Sequence, residues 1–241
     1  MITTEKINPN KIARISGTLY LIAVPLAIFS AMFVSSTLIV PGDATATANN
    51  IKASEGLFRS GIVSMLMVQL IYILKPLYLY KLLKSVNKKH ALLMVILMLV
   101  AIPIAFINEL NKFAVLFLLS SADYLAIFDP GQLHAQVMFF LDLYTGGVFI
   151  AQIFWGLWLF PLGYMVFKSG FLPKILGVLL MIGCFSYVID SLAFMLFPDY
   201  HGAVAQIALL PNFISEFALF MWLLIKGVNV EQWKKRALEA A

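Results

Sequence analysis

Lys88-Lys-His-Ala-Leu-Leu-Met-Val-Ile-Leu-Met-Leu-Val-Ala-Ile-Pro-Ile-Ala-Phe-Ile107 passes from two cations and a histidine into seventeen successive residues without a polar side chain, before Asn108 and Glu109 end the run. A helix of a soluble protein needs one apolar stripe, whereas this one is apolar all round. With its continuation to about residue 119 it exceeds the roughly 20 residues that cross a hydrocarbon core. Five further segments read the same way, at about 13-40, 57-83, 131-167, 172-197 and 211-227. The expectation is an all-α, polytopic membrane helix bundle of six spans. It forms one membrane domain over residues 1-241 that ends in a short basic tail, 228-241. Composition supports this: 62% of the 241 residues are hydrophobic, 12% are charged and mean hydropathy is +0.93. A soluble globule carries about 25% charged residues, so that class is excluded.

The first segment follows Lys6, Lys11 and Arg14 and precedes Ala44-Thr45-Ala46, which imitates a signal peptide with a cleavage site. Its apolar run is too long for a signal core of about 7-15 residues, so it is expected to stay as the first span. Loops retained in the cytoplasm keep Lys and Arg, which makes alternate loops comparable. One side collects thirteen: Lys6, Lys11, Arg14, Lys81, Lys84, Lys88, Lys89, Lys168, Lys174, Lys226, Lys234, Lys235 and Arg236. The other side holds Lys52 and Arg59, and Lys75 and Lys112 lie within spans. Both termini are therefore expected in the cytoplasm, with the chain in the cell (inner) membrane. Tyr78, Tyr80, Tyr164 and Trp222 fit the inner headgroup level, and Tyr124 and Tyr200 the outer one. The net charge of +5 follows this placement, which favours anionic lipid at the cytoplasmic face over nucleic acid. In the tail, Val230, Trp233, Ala237 and Leu238 beside Lys234, Lys235 and Arg236 suit a helix lying on that lipid as well as they suit a solvated basic tail.

The outer loops carry turn and cap signals. Pro41-Gly42 turns the chain after the first span, and Asp43 can cap an Ala/Thr-rich helix running to about Ser54. Asp129, Pro130 and Gln132 make a start like a capping box for the fourth span. From Pro130 to Phe167 that helix would run about 57 Å, nearly twice a hydrocarbon core, so it must protrude, tilt or bend. Gly146-Gly147 and Pro161 are its expected bend sites, and Pro25, Pro76 and Pro103 serve the first three spans.

The stretches Arg14-Ile-Ser-Gly-Thr-Leu-Tyr-Leu21, Val40-Pro-Gly-Asp-Ala-Thr-Ala-Thr-Ala-Asn-Asn-Ile51, Phe128-Asp-Pro-Gly-Gln-Leu133, Phe167-Lys-Ser-Gly-Phe-Leu-Pro-Lys-Ile-Leu-Gly177 and Asp190-Ser-Leu-Ala-Phe194 occur in that order. In that order they resemble the domain-of-unknown-function family 4386 over nearly the whole chain. The resemblance implies a small prokaryotic protein of about six membrane helices, and it brings no activity and no cofactor with it. Lys75 and the Glu109/Lys112 pair depart from the apolar positions the resemblance leads one to expect.

Ionisable residues inside spans are the informative ones, since each costs about 2.5-3.5 kcal/mol at the bilayer centre on insertion scales. Glu109 and Lys112 lie on the third span, Asp142 on the fourth, Asp190 on the fifth and Glu216 on the sixth. Counted from Leu119, Phe197 and Pro211, the three glutamate and aspartate positions Glu109, Asp190 and Glu216 fall in the outer half. Asn108 and Glu109, Ser186 and Asp190, and Asn212 and Glu216 each share a helical face or arc. One outward-facing acidic pocket among spans three to six is thus expected, formed by Glu109, Lys112, Asp142, Asp190, Glu216, Asn108 and Ser186. Four carboxylates against one ammonium leave three negative charges uncompensated, which a low dielectric does not tolerate. Some carboxyls must then be neutral, or water fills the layer, or it takes up a cation or basic solute.

Three readings stay open: handling of a small solute or cation, structural glue in an accessory membrane protein, and an unfamiliar intramembrane enzyme. No catalytic residue, metal ligand set or cofactor is expected. His134, His201, Asp129, Asp142 and Asp199 lack the close spacing of a metal motif, and P-loop, dinucleotide and Gly-x-Ser-x-Gly signatures are absent. Lys75 is expected to snorkel to cytoplasmic headgroups, His90 to belong to a loop, and Cys184 to pack as a small hydrophobe. A lone cysteine forms no internal disulfide.

Overall fold

The computed structural model describes residues 8–120 and 122–240, so Lys6 lies outside the described residues. Six helices are long and apolar enough to cross a membrane: α1 Pro9–Leu38, α3 Glu55–Leu83, α4 Lys88–Leu118, α5 Pro130–Ser169, α6 Lys174–Leu196 and α7 Pro198–Ile225. Two shorter helices, α2 Ala44–Ala53 and α8 Val230–Glu239, complete the set, and no strand occurs among the described residues. The chain is a multi-pass helix bundle.

Caps and prolines set the helix boundaries. Asn8 Oδ1 accepts the backbone N–H groups of Asn10 (3.0 Å) and Lys11 (3.2 Å), with Pro9 between them, so α1 starts four residues before the first apolar run. Asp43 caps α2 through Ala46 N–H at 2.8 Å. At α5, Gln132 Oε1 accepts Asp129 N–H at 3.1 Å, which is the returning half of a capping box. α5 is unbroken through Gly146-Gly147 to Leu157 and is interrupted at Trp158, three residues before Pro161, the other expected bend site, where the Leu162 N–H to Trp158 carbonyl bond lengthens to 3.4 Å. In α1 the turn after Pro25 widens into a π segment, Phe29–Val34, instead of breaking.

The sixth span differs most from its sequence reading. Pro198 begins α7, and Pro211, taken from sequence as the start, lies inside a continuous 28-residue helix. Residues 203-210 are apolar apart from Gln206 and continue the helical run, and a membrane helix tolerates one missing N–H. Glu216 therefore sits eighteen residues beyond the helix start rather than five. Counted back from Lys226 it is ten residues, or about 15 Å, along the helix.

The contacts divide the chain into two compact units. One gathers residues 8–22, 71–101 and 152–240. In it, helices approach closely where side chains are missing. A Cβ on Gly17 would lie 2.7 Å from the Phe220 carbonyl oxygen, one on Gly156 2.7 Å from Tyr187 Cβ, and one on Gly163 2.6 Å from the Gly177 carbonyl oxygen. The C-terminal helix is docked in this unit and is not a solvated tail. Trp233 is buried and donates its indole N–H to the Leu82 carbonyl at 2.9 Å, Val228 N–H donates to Asn10 Oδ1 at 2.8 Å, and Asn229 caps α8 through Gln232 N–H.

The other unit comprises Ala23–Leu70 and Ile102–Ala151. Its core is formed by Val34, Leu38, Ile51, Phe58, Ile62, Val115, Leu116, Val137 and Leu141. Thr47 of α2 both accepts from Val40 N–H (2.9 Å) and approaches the Val40 carbonyl (3.2 Å), which folds the loop after α1 back onto this core.

Candidate functional site

Lys75 lies one turn beyond Tyr72 on α3, and Glu216 one turn before Phe220 on α7. The Gly17 contact brings α1 against α7, so that Tyr20, one turn on from Gly17, stacks on Phe220 with centroids 4.5 Å apart. Between these elements the Lys75 ammonium is wholly buried and 3.0 Å from Glu216 Oε2. Four rings surround it, with centroids at 4.1 Å (Tyr72), 4.5 Å (Trp158), 4.9 Å (Phe220) and 5.5 Å (Tyr20) from Nζ. All are within the range of about 6 Å over which a ring face attracts a cation. The snorkelling expected of Lys75 is thus incorrect. Nine residues short of Lys84, or about 14 Å, its stem turns inward because a carboxylate and four ring faces await it at its own depth.

Asp190 occupies a second position in the same unit. The close approach of Gly156 to Tyr187 aligns α5 with α6, so that Gln152, one turn before Gly156, meets Asp190, one turn after Tyr187. Gln152 Nε2 donates to Asp190 Oδ2 at 2.8 Å and approaches the Tyr187 carbonyl at 3.4 Å, while His201 Nε2 of α7 lies 3.2 Å from Asp190 Oδ1. Asp190 is 7% exposed. Ser186 donates to the Ala208 carbonyl at 3.2 Å, tying α6 to α7 instead of facing either acid.

The other unit holds Asn108, Glu109 and Lys112. Tyr144 O–H donates to Glu109 Oε1 at 3.1 Å, and Lys112 Nζ lies 3.3 Å from Glu109 Oε2, an ion pair by distance without hydrogen-bond alignment. The same ammonium stands over the Tyr144 ring at 3.8 Å. Asn108 fills the space beside Gly147, where a Cβ would collide with its amide, and donates to the Tyr144 carbonyl at 2.8 Å. Asp142 is exposed.

Glu109, Lys112 and Asn108 thus belong to one unit and Asp190, Glu216 and Ser186 to the other. The expected excess of three negative charges shrinks: Glu216 has Lys75, Glu109 has Lys112, Asp142 is exposed, and Asp190 faces Gln152 and His201, whose imidazole compensates a carboxylate only when it is protonated. Sequence reasoning missed Lys75, His201, Gln152 and the rings as site residues. Lys75 itself was the available signal, a lysine in an apolar run one turn from a tyrosine. Among the described residues no group of three or more metal-ligating side chains converges.

A family model described as "Domain of unknown function (DUF4386)" matches residues 15–227. An "Uncharacterized protein" of Archaeoglobus fulgidus is 34% identical over 111 residues. That alignment covers 45% of this chain and 62% of the relative, so the chain spans less than two thirds of the relative's length. No solved structure matches.

Proposed function

This chain belongs to the DUF4386 family, and on that premise we propose that it handles a small solute or cation across the cell membrane, with both termini in the cytoplasm. The orientation rests on the thirteen-to-two distribution of Lys and Arg. With Cys184 replaced by alanine, a cysteine at Ala240 is expected to resist an impermeant thiol reagent in intact cells while one at Gln132 reacts. Labelling of Ala240→Cys overturns the orientation.

The observation that carries the functional reading is the placement of Asp190. Sixteen residues beyond Lys174, or about 24 Å along α6, this carboxylate is held by an amide and an imidazole rather than by a fixed cation. Imidazole–carboxylate pairs gain and lose protons with little rearrangement, and intramembrane acids and histidines mark proton relays. Protonation of Asp190 is the coupling event. Thermal unfolding of the purified protein in detergent is the test, scanned over alkali cations and small basic solutes at several pH values. A binding ligand at 100 times its Kd stabilises by about 2.7 kcal/mol, and the response is expected to vary with pH. Asp190→Asn keeps an acceptor for Gln152 and is expected to fold normally while losing the pH dependence. Absence of any ligand response at every pH refutes the proposal.

A structural role is the second reading, favoured by the two ion pairs Lys75–Glu216 and Lys112–Glu109. It expects Asp190→Asn to be silent and no solute to stabilise.

A further inference from the structure

A lysine that only needed neutralising would be satisfied by one carboxylate and a few carbonyl oxygens. Lys75 has a different setting: among the described residues only Glu216 accepts a hydrogen bond from it, and ring faces from α1, α3, α5 and α7 form the rest of its surroundings. Each of the four helices supplies one ring, and Trp158 and Phe220 are, like the ammonium, fully buried. Ring faces attract a cation without counting its N–H groups, so such a cage accepts alkylated ammonium ions that a cluster of oxygen acceptors binds poorly. One carboxylate at the rim supplies the counter-charge that an organic cation needs in a dry site. The backbone beside the lysine is also loosened, because Pro76 offers no N–H to the Tyr72 carbonyl one turn earlier.

We propose that Tyr20, Tyr72, Trp158, Phe220 and Glu216 form a binding site for a small organic ammonium ion, and that Lys75 is its tethered resident, which such an ion displaces. This inference names the solute class of the cation-handling reading above and rests on it. The lysine then acts as an internal competitor: it keeps the cage filled and the carboxylate's charge compensated in the absence of ligand. It also raises the concentration at which an external ammonium ion binds.

The test uses the full chain in detergent. Lys75→Ala keeps Cβ and removes the equivalent of propylammonium, so n-propylammonium is the matched probe. Tetramethylammonium tests the cage without hydrogen bonds, and sodium and 1-propanol are the controls. Both ammonium ions are expected to raise the thermal midpoint of Lys75→Ala saturably, at concentrations at least tenfold below those needed for the wild-type protein, and the controls are not. Adding Trp158→Leu is expected to remove most of the tetramethylammonium response. If Lys75→Ala does not fold, Lys75→Ala/Glu216→Gln removes both charges and leaves the rings, and it is expected to bind tetramethylammonium about tenfold more weakly. Lack of a saturable response in the folded variant, or an equal response to 1-propanol, overturns the inference. Ammonium binding by Lys75→Ala with no pH-linked response in the wild type would leave the cage standing and refute proton-linked handling. The converse result would refute the cage alone.

Discussion

Replacing Lys75 by methionine is expected to destabilise the protein by about 3–5 kcal/mol, the loss seen when one partner of a buried ion pair is removed and the other keeps its charge. Methionine fills nearly the same volume, so packing against Tyr72 and Trp158 survives and the effect isolates the charge. The stranded group is Glu216, 8% exposed, with the Lys75 ammonium at 3.0 Å as its ion-pair partner. The double variant Lys75→Met/Glu216→Gln leaves no charge at that position and is expected to recover most of the loss, as hydrophobic replacement of whole buried pairs does elsewhere. Lys81→Met, at an exposed position of the same helix, is expected to change stability by less than about 0.5 kcal/mol. Denaturation midpoints in detergent measure all three, and equal midpoints for the single and double variants refute the pairing.

Lys112→Met is expected to cost about 3 kcal/mol, at the lower end of the same range, because Glu109 keeps the Tyr144 hydroxyl at 3.1 Å after the ammonium has gone. Glu109→Gln in that background is expected to restore most of the stability. Tyr144→Phe, which keeps the ring under the ammonium and removes only the hydroxyl, is expected to cost about 1 kcal/mol. A larger loss for Tyr144→Phe than for Lys112→Met would show that the hydroxyl, and not the ammonium, holds Glu109.

Most of the fold was legible because lipid imposes a length and a composition on each span, and both are local properties of the chain. The five spans before α7 were found within about four residues of their observed ends, with Asp43 and the Asp129–Gln132 start as caps. Pro211 misled because a proline after a polar loop and a proline within a membrane helix look alike in sequence, and the misplaced start put Glu216 at the wrong distance along its helix. The ion pair of Glu109 and Lys112 was legible at i,i+3. That of Lys75 and Glu216 was not, since 141 residues separate the partners and only the packing of four helices brings them together. Asp142, expected in the acidic layer, is exposed on α5, since a helical face cannot be assigned to one acid without knowing which neighbours pack against it.

The docking of α8 bears on biogenesis. Trp233 bonds a carbonyl 151 residues earlier, and Val228 bonds Asn10 across 218 residues, so neither contact can form before the segment that follows α7 has been made. Long-range contacts of this kind close late. The start of α1 therefore waits through the synthesis of all six spans for its partner, and the segment after α7 supplies the clasp that fastens it.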